Sequence, residues 1–409
     1  MTHFSAGSPG PGNLVPCLAK GWSVRPSKFA FALVSSALIG TAGVVALASS
    51  ASAAVTVSPL RPLFSSFSAA AGSVLSCPPG RPVSTTTCYL VGAGPGGAPP
   101  PGYTSLPGVP NDFAYEVVPV TDGQVGQPLP TGSVDLGQVA CPGGPTCVAT
   151  GVTASGTHVI SWLTKGAVAK TEAVPQANYW GDLACTKSFV CAAVGMNYVK
   201  QSSGTIDYGV VASVVGGRVS AQVFRSASAF NAASCTAPSS CLVAGATYNA
   251  SYQDRRGALL SLHNGIPGAM QVVDGTTGLY TLVCGWEQGA CLATGTAPGP
   301  GGSILPAEVT VAGGKKSLEV LPGSATTAPA VCASAGHCVD YGVVNPNTRG
   351  EHGFVAVAVG GKLGAAVSIP SSADVDGLAC PVTGSCVGLA SYLHGAYGNY
   401  SEGIFTFSY

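Results

Sequence analysis

The residues with the clearest chemical potential are the cysteines, 15 in all, of which 14 fall into seven close pairs. The pairs are Cys77/Cys88, Cys141/Cys147, Cys185/Cys191, Cys235/Cys241, Cys284/Cys291, Cys332/Cys338 and Cys380/Cys386. A cysteine six residues from its partner, across a tight strand–turn–strand, meets the short Cα–Cα distance that a disulfide needs. Zinc sites favour two to four intervening residues and convergence with a second pair or with histidines. Here five residues intervene in five pairs, six in one and ten in the first, so no metal site is expected. Thiol redox chemistry is disfavoured too, because no Cys-x-x-Cys occurs. Each small ring stabilises by roughly 2.4 kcal/mol in the chain-entropy picture. Seven would total about 17 kcal/mol, comparable with the stability of a whole domain.

Other candidates for chemistry are weaker. Gly92–Gly97 matches G-x-G-x-x-G, but Ala98 and Pro99–Pro101 follow it. They cannot open the helix whose N-terminus would hold a pyrophosphate, so no dinucleotide cofactor is expected. His158, His263, His337, His352 and His394 show no mutual spacing, and neither a nucleophile elbow nor His-Glu-x-x-His occurs. Four acids are more regular: Asp207, Asp254, Glu351 and Glu402 fall 13 to 16 residues after the second cysteine of their copy, just before a glycine. They read either as turn chemistry or as carboxylates brought to one rim. Tyr198, Tyr248 and Tyr392 stand six or seven residues after the same cysteine. They read either as partly buried strand residues or as exposed planes that stack on a ligand.

The elements that position these residues follow from the repeat. From Cys141 on, first cysteines recur after 44, 50, 49, 48 and 48 residues, the regularity of a repeat architecture. The preceding interval is 64 because of a Pro/Gly-rich insertion at about 94–111, expected to form an exposed loop. Four residues after the second cysteine stands Gly92, Gly151, Gly195, Gly245, Gly295 or Gly342, with Ala390 in the seventh copy. Downstream lies a strand–turn–strand unit, as in His158–Pro175, with Lys165-Gly166, Gly216-Gly217, Asn264-Gly265 and Gly360-Gly361 at the turns. About four short strands per copy is the content of one propeller blade. The expected fold is therefore all-β: one seven-bladed β-propeller over 54–409, with one disulfide per blade. Ala54–Ser58, alternating and apolar, is expected to pair into the last blade and close the ring.

The amino-terminal segment reads differently. Arg25 and Lys28 precede an apolar run from Phe29 to Leu47, and Ala51-Ser52-Ala53 offers a small-x-small cleavage site. This order is that of a secretory signal peptide over residues 1–53. The run is also long enough to span a bilayer, so an uncleaved anchor is the other reading. Cleavage removes Cys17, leaving an even 14 cysteines, and three bases (Lys20, Arg25, Lys28). The mature chain keeps 14 bases against 17 acids, a net charge of −3. With 8% charged residues and no basic stripe, nucleic-acid binding is not expected. Membrane contact is expected only through the amino-terminal segment, and the location is secreted or cell-envelope.

The motif in Ser234–Gly245 (SCTAPSSCLVAG) and Ala379–Ala390 (ACPVTGSCVGLA) resembles that of secreted bacterial proteins, many of them actinobacterial. Those proteins carry tandem Ser/Ala-Cys-x5-Cys-apolar-x-x-Gly repeats and look like β-propellers. The resemblance spans Ser76 to Tyr409 and implies the fold, not an activity. The sialidase-type Ser-x-Asp-x-Gly-x-Thr-Trp box is missing from every copy. The leading expectation is a monomeric, non-catalytic propeller that binds a glycan or protein at the cell surface without a cofactor. The alternative is an extracytoplasmic polysaccharide hydrolase or lyase, with paired carboxylates as its acid and base.

Overall fold

The computed structural model describes residues 55–63, 68–69, 74–94, 114–201, 204–227, 229–247, 255–287, 289–321, 329–344, 352–394 and 399–409. The leader 1–53 and most of the insertion at about 94–111 lie outside them. Seven antiparallel sheets follow one another along the chain. Blade 3 shows the plan: an inner strand Tyr179–Cys185, then Val190–Gln201, Gly204–Val215 and an outer strand Arg218–Phe224. Blades 2, 4, 5 and 6 repeat this four-strand order, with inner strands Val134–Gly143, Ala229–Ala237, Gly278–Cys284 and Ala330–Ser334. Blade 1 is broken up by short strands around Thr87–Gly94 and Ala114–Thr121.

The hairpin turns between third and outer strands show why the sequence folds this way. Both central residues have positive φ in Asp122-Gly123, Lys165-Gly166, Gly216-Gly217, Asn264-Gly265, Gly313-Gly314 and Gly360-Gly361. That is the two-residue turn whose twist matches paired strands, which Gly and Asn tolerate best. Blade 7 contributes three strands, Asp374–Val382, Ser385–His394 and Asn399–Ser408. Its outer edge is covered by the amino terminus, as expected: Thr56 pairs with Ser408, Val57 with Phe407, Arg61 with Ile404 and Pro62 with Gly403. Ser58 adds two bonds, its N–H donating to the Thr406 carbonyl at 2.8 Å and its hydroxyl accepting from the Thr406 N–H at 2.9 Å.

All seven expected disulfides are formed, one per blade: Cys77–Cys88, Cys141–Cys147, Cys185–Cys191, Cys235–Cys241, Cys284–Cys291, Cys332–Cys338 and Cys380–Cys386. Their Cα–Cα distances are 3.9 to 4.2 Å. The cysteines, singled out for their chemical potential, are all engaged in disulfides, with no free thiol among the described residues. Cys88 and Cys147 are fully buried and Cys241 is only 5% exposed. Each of these stands on the second strand of its blade, where the neighbouring blade covers it, and each is part of a buried apolar cluster. A sulfur there packs as core and meets neither solvent nor ligand. In blades 3 to 6 the two cysteines lie directly opposite each other on the inner and second strands. Seven such bridges fit an oxidising environment. No helix among the described residues is long and apolar enough to cross a membrane.

The recurrent glycine has a structural cause. In blades 2, 3, 4, 5 and 7 the inner strand carries a β-bulge four residues before its first cysteine, at Gly137, Gly181, Asn231, Tyr280 and Asp376. The bulge pushes the inner backbone onto the second strand, and a Cβ at Gly195, Gly245 or Gly295 would collide with the carbonyl of Tyr179, Ala229 or Gly278. Side chains then stitch the free inner edges together from blade to blade, satisfying backbone groups that no strand pairs. Ser76 accepts from the Cys141 N–H at 2.9 Å and Ser234 from the Cys284 N–H at 3.0 Å. The Asn231 amide donates to the Leu279 carbonyl at 2.8 Å.

Candidate functional site

Second and third strands run toward the rim of the ring opposite the disulfides, and Tyr198, Asp207, Tyr392 and Glu402 belong to these strands. In blade 3 both strands run 12 residues, against 7 to 10 elsewhere, and stay paired up to Gln201 and Gly204. At about 3.3 Å per residue, four residues beyond an eight-residue strand raise this hairpin by about 13 Å.

On this hairpin Tyr198 is directly opposite Asp207, so both side chains leave the same side of the sheet. Tyr179 of the inner strand pairs with Met196 and therefore lies on that side as well, one dipeptide below Tyr198. Tyr179 is 43% and Tyr198 42% exposed, so both rings offer open surface. Partial burial raises the Tyr198 phenol, and the neighbouring Asp207 carboxylate and Tyr179 raise it further. Burial also raises Asp207 above the ordinary carboxylate range. The base of the hairpin is held by the chain entering blade 3: the Tyr198 N–H donates to Asn178 Oδ1 at 2.6 Å, and Asn197 Nδ2 donates to the Gln176 carbonyl. Two aromatic planes beside a carboxylate, on a hairpin fixed at its base, can stack on a flat apolar surface and accept from hydroxyls.

The counterparts in blade 7 are arranged differently. Tyr392 pairs with Ser401 and Glu402 with Ser391, so Tyr392 and Glu402 leave opposite sides of their sheet. Tyr392 shares the side of Cys386 and Ala390, which pack toward blade 6. Glu402 shares the side of Leu389 and Ile404, which pack toward blade 1. Tyr392 is half-buried against Gly403, where a Cβ would approach its ring to 3.4 Å. Tyr248, Asp254 and Glu351 lie outside the described residues.

A second polar region was not foreseen from sequence. The inner strands enclose a central channel of about 1220 Å³, lined among others by Asp182, Asn231, Tyr280, Tyr341, Asp374 and Asp376. Burial raises the Tyr341 phenol far above its ordinary value, and the charges of Asp182, Asp376 and Asp374 add to this. Asp376 is raised by burial, an effect that hydrogen bonds to Ser391 partly offset. Asp182 is already engaged: Oδ1 accepts from the Leu183 N–H at 2.8 Å and Oδ2 from the Ala233 N–H of blade 4 at 2.9 Å. Asp374 Oδ1 likewise accepts from the Val375 N–H at 2.7 Å. Among the described residues, no three His, Cys, Asp or Glu side chains converge closely enough to hold a metal ion. Asn231, Tyr280 and Asp376 of this region stand at the bulge, four residues before the first cysteine of their blades, a position that the strand register identifies.

No family model matches the chain, and no curated protein matches it in sequence. Solved structures match its fold. The BP39L lectin from Burkholderia pseudomallei is 13% identical over 81% of this chain and 98% of its own, with a TM-score of 0.48. The β-propeller domain of the Trilobed protease from Pyrococcus furiosus is 9% identical over 83% of this chain and 95% of its own, TM-score 0.48. Hydrazine synthase from Kuenenia stuttgartiensis is 8% identical over 83% of this chain and 96% of the matched chain, TM-score 0.50. At such identities the likeness is one of fold alone, and the function of this chain is read from its own residues.

Proposed function

We propose that this chain is an exported, non-catalytic β-propeller of the cell envelope or its surroundings, which binds a glycan through the rim of blade 3. The observation that carries the reading is the cross-strand pair Tyr198–Asp207 with Tyr179 beside it. Sugar recognition combines such elements: aromatic faces take the apolar face of a pyranose and a carboxylate takes its hydroxyls. A protein partner anchored on the same tyrosines is the other occupant. Passing the mature chain over immobilised cell-wall and plant polysaccharides tests the reading. Retention that is lost in Y179A/Y198A supports it, and retention unchanged in that variant removes the site.

The second reading, hydrolysis or lysis of a polysaccharide, draws on the channel carboxylates. Asp376 is the one most suited to acid chemistry, because burial holds its carboxyl toward the protonated form. Release of reducing ends or unsaturated products from those polysaccharides, abolished by D376N, would favour this reading.

A further inference from the structure

Alternation along the strands gives every blade two faces, one toward the preceding blade and one toward the next. Among the described residues, buried apolar clusters span blades 7, 1 and 2 together, then blades 2–3, 3–4, 4–5 and 6–7. None spans blades 5 and 6. The strand register explains the gap. Cys291, Ala293, Val309 and Val311 pack toward blade 4, so blade 5 turns Leu292, Thr294, Glu308 and Thr310 to blade 6. Val339, Val355 and Val357 pack toward blade 7, so blade 6 turns Cys338, Asp340, Ala356 and Ala358 to blade 5.

Two of these residues break a rule that the other blades keep. The third-strand residue paired with the position three after the second cysteine is Val117, Ile160, Val211, Leu259, Val355 and Ile404 in blades 1, 2, 3, 4, 6 and 7. All six are at most 3% exposed. In blade 5 that residue is Glu308, paired with Thr294. Two positions after the second cysteine stand Leu90, Ala149, Ala193, Val243, Ala293 and Gly388, all buried. In blade 6 that position holds Asp340. The two exceptions face each other across one interface. A carboxyl placed where six blades have a buried uncharged residue is a local inconsistency of the kind that marks a functional position.

We infer that the ring carries a proton-dependent seam between blades 5 and 6, closed while Glu308 and Asp340 hold a proton between them and loosened when that proton leaves to solvent. Burial, then the charge of Glu308, raises Asp340 to about 7. Burial, then the charge of Glu319, raises Glu308. Glu319 is paired with Glu308 on the outer strand, so the third carboxylate adds repulsion. Around Asp340 its own blade presents Ala330 and Ala356, without charge. Bases do not relieve the repulsion. Lys316 turns to blade 4 and donates to the Val272 carbonyl at 3.0 Å. Lys315 pairs with Ala312, four residues and about 13 Å along the strand from Glu308. His352 pairs with Val344, as far from Asp340 on the second strand. At the disulfide end the blades are tied by the Gly336 N–H donating to the Gly285 carbonyl at 2.6 Å, so loosening begins at the carboxyls and not at the turns.

The sign follows from linkage. A carboxyl raised from 3.8 to about 7 binds its proton more tightly in the closed ring than in the open one. Closure is therefore fully favoured below about pH 4 and loses ground as pH rises to about 7. Between pH 5 and pH 8 the opening equilibrium should rise about a hundredfold, two tenfold steps for two pH units below the folded value.

Hydrogen exchange read by mass spectrometry, corrected for the chemical exchange rate at each pH, tests the seam in the mature chain. Peptides covering Ile304–Ala312 and His337–Val344 should lose about a hundredfold protection from pH 5 to pH 8, while those covering Val190–Gln201 and Gly204–Val215 hold theirs. E308Q/D340N should flatten the dependence. Should that variant fail to fold, E308V/D340A replaces it, since Val and Ala occupy these positions in other blades. Uniform pH dependence across all blades, or dependence that survives in either variant, overturns the seam.

Discussion

The carbonyl oxygen of Tyr179 occupies the space that a Cβ would take at Gly195. The inner strand bulges at Gly181, and the second strand must be bare at Gly195 for the bulge to pack. The bulge turns the backbone N–H of Leu183 and the carboxylate of Asp182 toward each other and carries Asp182 into the channel. Gly195→Ala is expected to destabilise by about 1–3 kcal/mol, the usual cost of overpacking a tight interior. Urea titration followed by tryptophan fluorescence measures this. A cost near zero, as though the bulge could relax as it does around Ala390 in blade 7, would show that the close approach is not required.

Closure of the ring depends on the amino terminus. Deleting residues 54–58 removes the pairs Thr56–Ser408 and Val57–Phe407 and both bonds between Ser58 and Thr406. It leaves the outer edge of Asn399–Ser408 partly open. Deleting Pro95–Pro110 shortens a connection whose length has a small entropic effect. The first deletion should lower the melting temperature by several degrees more than the second. Equal melting temperatures would mean that Arg61–Pro62 alone keeps the ring closed.

The thiol count is a direct test of the disulfide framework. With seven bridges formed, a chain that begins at Ala54 should yield no free thiol when titrated in denaturant without reductant. Two or more free thiols per chain would contradict the pairing. Replacing Cys185 and Cys191 together by serine should cost roughly 2 kcal/mol, because the ring that they close is small.

The tyrosines separate by role. Y179A/Y198A should keep its melting temperature within a few degrees, since both rings are over 40% exposed, yet lose retention on the polysaccharide that the wild type binds. Y392A should do the reverse, losing stability while keeping retention, because that ring packs on Gly403. Unfolding of Y179A/Y198A would make those rings part of the core.

What the sequence determined by itself is what is local. Cysteines six residues apart meet across one turn, Gly and Asn at adjacent positions set two-residue hairpins, and a period near 48 multiplies both into seven blades. Side-chain direction needed the tertiary structure, because one residue of register moves a side chain to the other face of a strand. Tyr198 and Tyr392 differ by one residue from their cysteines, and that difference sends them to opposite kinds of interface. Glu308 was hidden for a related reason. Its counterparts Ile160, Val211, Leu259 and Val355 lie 13, 20, 18 and 17 residues after their second cysteines, since the intervening loops differ in length. Only hydrogen-bonded register places them in one tier, and only the packing of blade 5 against blade 6 turns Glu308 toward Asp340, 32 residues further along the sequence.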